Sequence, residues 1–127
     1  MEKNDRSTHI TQNGEQLGEV QIADEVVAII AGLAAMEVDG VASMAGNTPK
    51  DFASRLGVKN MSKGVKVDVL ERIVTVSLAL NLKYGHSVLD VSNKVQVKVK
   101  SAIENMTGLT VADVNVRIAG VALPNNG

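Results

Sequence analysis

The chain has no cysteine and almost no aromatic residues. Without cysteine, disulfide bonds, thiolate catalysis and cysteine-ligated zinc or iron–sulfur centres are excluded, and the composition is compatible with a reducing cytoplasm. Phe52 and Tyr84 are the only aromatic residues, whereas valine occurs 20 times. A stacking platform for single-stranded nucleic acid is therefore missing, and the core must be aliphatic.

Long apolar runs are missing as well. The longest, residues 26–36, has 11 residues, which is about half of the roughly 20 that a membrane-spanning helix needs. Residues 1–16 mix charged and polar side chains, so we expect no secretory signal there. Any membrane contact is therefore expected to be peripheral or indirect, through a partner.

The 127 residues fit one domain that is large enough to bury a core. We predict a disordered polar tail over residues 1–16, because that stretch offers too little apolar surface to offset the entropy of ordering. A single domain is predicted over residues 17–122, followed by a short tail over residues 123–127.

Recognisable catalytic and ligand-binding motifs are also missing. His86, Ser87 and Asp90 alone resemble a nucleophile constellation, and helix capping explains Ser87 and Asp90. The two histidines lie far apart, and no phosphate-binding glycine motif occurs. We therefore predict no catalytic residue, no cofactor and no metal site, and hence no enzyme.

The stretch from Gly64 to Gly85 contains two alternating patterns, separated by residues 70–73, and is the strongest signal in the sequence. It predicts an antiparallel hairpin with strands at about 65–69 and 74–84, since successive side chains leave opposite faces of a strand. Residues 70–73 lack an Asn-Gly or Asp-Gly pair, which favours a four-residue loop.

Helices are predicted on both sides of the hairpin in the chain. One covers residues 23–38, with acidic residues in its first turn; the other covers residues 87–107, where helical spacing overrides a local strand-like alternation. Ser87 and Gly108 suit the two ends of the second helix. Short strands are predicted at residues 17–22, 41–44 and 111–118, and a short helix near residues 49–56.

This order of elements predicts an α/β (α+β) fold, a two-layer sandwich. A mixed sheet is built on the long hairpin, and two main helices cover one face. If the long hairpin strand and the last strand are parallel, the second helix is their crossover connection.

The first helix has two unlike apolar faces. Its bulky residues are expected to lie on the sheet, leaving a small-residue face opposite them. That face either packs inside the chain or forms a self-association surface, because small residues allow close approach of helices. Its residues, the first candidates for protein interaction, are Ala28, Ala31, Gly32 and Ala35.

The charges are distributed unevenly along the chain. Residues 1–39 carry eight acidic and two basic residues, whereas residues 40–66 carry one acidic and five basic residues. Such asymmetry can favour contact between copies. The basic segment, residues 50–66, is a solvated loop, a docking patch for an acidic partner or anionic lipid, or a contact for nucleic acid, the reading that the absence of an overall basic charge least favours. Its candidate residues are Lys59, Lys63 and Lys66.

Several stretches resemble the alkaline shock protein family, the envelope or general stress proteins of Gram-positive bacteria. They are GEVQIADEVVAIIAGLAAMEVDGVASMAG at residues 18–46, KGVKV at 63–67, Tyr84-Gly85, and MTGLTVADVNVRIAGV at 106–121. The hairpin tip departs from the family in lacking a glycine that relatives often carry, and the chain extensions are short.

The resemblance implies a non-enzymatic cytoplasmic protein of the cell envelope stress response. It implies a self-associating scaffold, a homo-oligomer docked at the inner face of the membrane through a small membrane-anchored protein, with indirect membrane contact. The missing aromatic residues separately predict no nucleic acid partner. The alternative is a regulatory subunit that binds a soluble enzyme of lipid (fatty-acid) metabolism. The sequence leaves the identity of the partner open.

Overall fold

The computed structural model describes residues 8–9, 17–46 and 63–124. In these ranges it has two helices and six strands. In chain order they are β1 (Thr8–His9), β2 (Gly18–Glu19), α1 (Asp24–Met36), β3 (Val41–Met44), β4 (Val65–Leu70), β5 (Ile73–Lys83), α2 (Val88–Thr107) and β6 (Thr110–Ala122).

Strand β5 is the centre of the main sheet. Strand β6 pairs with it in parallel along one edge, while β3 and β4 pair with it antiparallel, end to end, along the other. Ala79 lies at the junction: its N–H donates to the Gly64 carbonyl and its carbonyl accepts from the Ala45 N–H, both at 2.9 Å. The predicted mixed sheet is confirmed, and α2 is the crossover connection between the parallel strands.

The alternation in β5 separates a dry face from a wetter one. Val74, Val76, Leu78, Leu80 and Leu82 are buried, and the residues between them are half-buried. The buried side chains share one hydrophobic cluster with residues of α1 and α2. Both helices therefore cover the same face of the sheet, which confirms the two-layer sandwich.

The hairpin turn is tighter than the sequence predicted. Leu70 pairs with Ile73, so Glu71 and Arg72 alone form the turn. Both residues have positive φ angles, 51° and 71°, as the favoured two-residue hairpin turn requires. The prediction of a four-residue loop was wrong because it relied on glycine or asparagine to provide this backbone conformation, whereas the paired strands impose it on Glu71 and Arg72.

The second helix follows the long-range spacing over residues 88–107. The Ser87 hydroxyl accepts from the Asp90 N–H at 3.2 Å, and Gly108 ends the helix with a left-handed φ of 77°. Val97, the residue that this assignment leaves on the outer side, is exposed. The prediction of a helix, and not a strand, around Val97 is thus confirmed.

The N-terminal region differs from its prediction. The strand expected over residues 17–22 is limited to Gly18–Glu19, and it pairs with Thr8–His9 instead of joining the main sheet. Thr8–His9 therefore form a strand within the stretch predicted to be disordered. The short helix predicted near residues 49–56 lies outside the described residues.

Candidate interaction surface

The small-residue face of α1 lies inside the chain. Ala31 and Ala35 have no exposed surface, and Ala28 and Gly32 are buried. The face packs against α2 and β4, with Ala28 beside Val65 and Val67. Of the two alternatives left open for this face, the structure therefore shows intramolecular packing, since small side chains let α1 approach its neighbours closely.

The bulky side of α1 is consequently the more exposed one. Val26 and Leu33 are 46% and 45% exposed, and Ile29 and Met36 are half-buried. Ile30 is the one bulky residue on this side that is buried. The expectation that this side lies on the sheet was wrong, because both sides of the helix are apolar and the close contact with α2 and β4 selects the smaller one.

Two lysines of the predicted basic patch are described, and both are exposed. Lys63 precedes β4, and Lys66 lies on β4 opposite Ser77 of β5. Lys59 lies outside the described residues. Lys66 projects from the side of the sheet opposite the helices, which no helix of the described ranges covers.

We call this side the open sheet face. It is formed by alternate residues of three adjacent strands. Its members are Lys66 and Asp68 of β4; Thr75, Ser77 and Ala79 of β5; and Asp113, Asn115 and Arg117 of β6.

The open sheet face has opposite charges at its two ends. Thr75 lies between the two carboxylates Asp68 and Asp113 in one row, and Lys66 and Arg117 lie further towards the other end. A depression of about 480 Å³ opens between Lys66, Ser77, Asn115 and Arg117. The sequence pattern predicted the alternating faces of the hairpin strands. It missed this surface because only the register between β4, β5 and β6 brings the three strands together.

Three side chains of α2 protect part of the outer edge of β6. Glu104 accepts from the Val111 N–H at 2.9 Å, Lys100 donates to the Val111 carbonyl at 3.3 Å, and Gln96 donates to the Val114 carbonyl at 3.1 Å. They lie four residues apart and so share one side of the helix. The Val111 N–H, reinforced by Lys100, lowers the pKa of the Glu104 carboxyl below its ordinary value.

Large apolar side chains cluster where β5 and β6 end and α2 begins. The Tyr84 N–H donates to the Ala122 carbonyl at 3.1 Å, which joins the two strand ends. We call this cluster the apolar end. Its members, all at least half exposed, are Tyr84, Val88, Leu89, Val121 and Leu123.

The residues that resemble a nucleophile constellation serve local structure. Ser87 caps α2, and the His86 ring lies against the backbone of Gly40, where an added Cβ would be 2.9 Å from Nδ1. Within the described ranges, no three metal-ligating side chains converge, and no helix has the length and hydrophobicity to cross a membrane.

The family model for the alkaline shock protein 23 family, described as having a "cell envelope-related function", matches residues 12–123. The chain belongs to this family. The match confirms the resemblance that the sequence motifs indicated. The family is connected with the cell envelope and with stress response in Gram-positive bacteria.

Its similar relatives in this family are bacterial proteins. It is 41% identical to the uncharacterized protein YqhY of Bacillus subtilis over 83% of this chain and 78% of that one, and 34% identical to YloU of the same organism over 85% and 92%. A stress response regulator gls24 homolog of Streptococcus pyogenes is 28% identical over 82% of this chain and 59% of that protein. Among solved structures, a MamM-CTD variant is 12% identical with a TM-score of 0.48, covering 77% and 99% of the two chains.

Proposed function

We propose that this member of the alkaline shock protein family is a non-enzymatic cytoplasmic scaffold of the envelope stress response. It associates with itself and docks at the inner face of the cell membrane through a small membrane-anchored protein. Membership of a cell envelope-related family supports the setting. The docking role rests on one observation, the apolar end.

The apolar end suits a protein partner because it brings five exposed apolar residues to one end of the sheet. Its five side chains are exposed by half or more, and Lys83 and Asp90 lie at its margin. Exposed apolar patches with a polar rim mark interaction sites, since isolated soluble chains rarely retain them. Tyr84 adds an aromatic anchor of the kind that dominates such contacts.

The test is sedimentation of the purified chain with membranes of a Gram-positive bacterium. We expect it to sediment with native membranes, to stay in solution with membranes stripped by protease, and to stay in solution with protein-free phosphatidylglycerol vesicles. Replacement of two apolar-end residues, Leu89→Ser with Leu123→Ser, should weaken the binding to native membranes about tenfold, as the loss of two partly exposed leucine contacts implies.

The matched control is Val97→Ser with Met106→Ser, because these two side chains on α2 are equally exposed and lie away from the apolar end. The control should bind as the unchanged chain does. Equal losses in the two double variants would contradict the assignment of the apolar end. A chain that stays with the soluble fraction and co-purifies with an enzyme of lipid metabolism would support the regulatory alternative instead.

A further inference from the structure

The open sheet face carries four charged side chains that have no ion pair within the described part of the chain. Two ion pairs of the described residues lie elsewhere, between Lys98 and Glu37 at 3.2 Å and between Lys100 and Glu104 at 3.4 Å. Lys66, Asp68, Asp113 and Arg117 are all exposed. Their charges are therefore available to a molecule that covers this face.

The middle of the open sheet face carries short, uncharged side chains. Thr75, Ser77 and Ala79 follow one another along β5 and are half-buried. Short side chains of this kind allow two sheets to approach to the usual distance of about 10 Å. The charged residues stand on β4 and β6, on either side of this central strip.

We propose that the open sheet face is the surface through which two copies of this chain associate, face to face, around a two-fold axis. The proposal rests on the self-association proposed above and assigns it to named residues. A two-fold interface must be complementary to itself, because the same patch is used on both copies. A face with a negative end and a positive end meets that requirement when the two copies run in opposite directions.

The register defines the pairs that this arrangement forms. Rows of the open sheet face are about 6.8 Å apart along the strands. A two-fold axis across the strands, midway between the Thr75 row and the Ser77 row, places Lys66 of each copy opposite Asp68 of the second copy. Asp113 then faces Asn115 of the second copy, and the long Arg117 side chain from the next row reaches the same carboxylate.

The contact is expected to be weak. Three strands over seven residues span roughly 14 Å by 20 Å, which is small for a stable dimer. Association should therefore depend on concentration, and also on salt, because exposed charges are screened at high ionic strength. Complementary charges would set the relative orientation of the copies more than the strength of binding.

Charge reversal with rescue tests the proposal in sedimentation velocity experiments at about 25 mM and about 500 mM salt. One variant carries Lys66→Glu and Arg117→Glu; the other carries Asp68→Lys and Asp113→Lys. Each alone should dimerise at least about tenfold more weakly than the unchanged chain at low salt, since like charges then face each other. An equimolar mixture should recover association to within about threefold, because each reversed face complements the other.

The matched control is Lys94→Glu with Lys98→Glu. It changes the net charge by the same amount as Lys66→Glu with Arg117→Glu, but on the outer side of α2, and it should associate as the unchanged chain does. Circular dichroism melts verify that all variants are folded.

The outcomes separate this inference from the proposed function. Self-association that both double variants leave unchanged would overturn the inference and leave the scaffold intact. A chain that is monomeric at every concentration at low salt would overturn both. Weaker association in the Lys66/Arg117 variant, without rescue by the Asp68/Asp113 variant, would overturn the face-to-face pairing of the two ends.

Discussion

The small size of the Ala31 side chain allows α1 to pack closely in the core. It has no exposed surface and lies in the cluster that joins α1 to α2 and the sheet. Protein interiors are packed as densely as organic crystals, so a larger side chain at this position has no space. Leu33, two residues further along α1, is 45% exposed and has no such restriction.

A substitution pair measures this difference at the residue scale. Ala31→Arg should lower the free energy of unfolding by about 3 kcal/mol or more, because it combines overpacking with a buried charge. Leu33→Arg, the control on the exposed side of α1, should change it by less than about 1 kcal/mol. Urea unfolding measures both, and an Ala31→Arg chain that stays as stable as the original but loses self-association would place the small-residue face in an interface instead.

At the scale of the elements, α2 and β6 depend on each other. Strand β6 has 13 residues and pairs with β5 along one edge only in the described part of the chain. Unpaired strand edges are prone to pairing with other chains. Gln96, Lys100 and Glu104 occupy the backbone groups of Val111 and Val114, so the start of this edge is protected by side chains instead of a strand.

The depressed pKa of Glu104 makes this protection dependent on pH. A group whose pKa is lower in the folded chain stabilises it fully above the ordinary pKa of 4.5, and that contribution is lost as the pH falls through the folded-state value. Glu104→Ala should therefore lower the melting temperature at neutral pH, and the difference from the original chain should shrink as the pH falls below 4.5 and the carboxylate is protonated in both states.

Glu37→Ala is the matched control for this pH effect. Glu37 pairs with Lys98 in an exposed position and so should contribute little to stability. Thermal melts of the three proteins across the pH range provide the measurement. A difference between Glu104→Ala and the original chain that persists unchanged at low pH would show that the carboxylate charge is not responsible.

On the scale of the whole molecule, protection from solvent is concentrated on β5. Both of its edges are paired and its inward side chains are buried. Val116 and Ile118 of β6, in contrast, direct their backbone groups to the outer edge of the sheet, as Val111 and Val114 do. Gln96, Lys100 and Glu104 bind the backbone of Val111 and Val114 and do not extend to Val116 and Ile118. The molecule therefore has one protected strand and one partly open edge.

Native-state hydrogen exchange measured by NMR tests this description. Amides of residues 74–82 should exchange only through global unfolding, whereas those of Val116 and Ile118 should exchange at least about 100-fold faster. Face-to-face association leaves the β6 edge free, so this difference should persist in the dimer. Equal protection of Val116 and Leu78 would indicate that a further strand pairs with β6, in conflict with the proposed interface.

The residue pattern was sufficient for most of the architecture. Alternation over residues 64–85 identified the hairpin strands, long-range helical spacing identified α2, and Ser87 and Gly108 marked its ends, because these features depend on local geometry that each strand or helix imposes on its own side chains. The family was likewise recognisable from short motifs. None of these inferences required knowledge of which elements meet.

Tertiary contacts decided three features: which side of α1 is buried, the conformation of the hairpin turn, and the composition of the open sheet face. Both sides of α1 are apolar, so only the close packing of α2 and β4 selects the side with Ala31 and Ala35 for the interior. The positive φ angles of Glu71 and Arg72 come from strand pairing and not from a turn-forming residue. The open sheet face exists because the register places β4 and β6 on either side of β5, and spacing along a chain carries no information about such lateral neighbours.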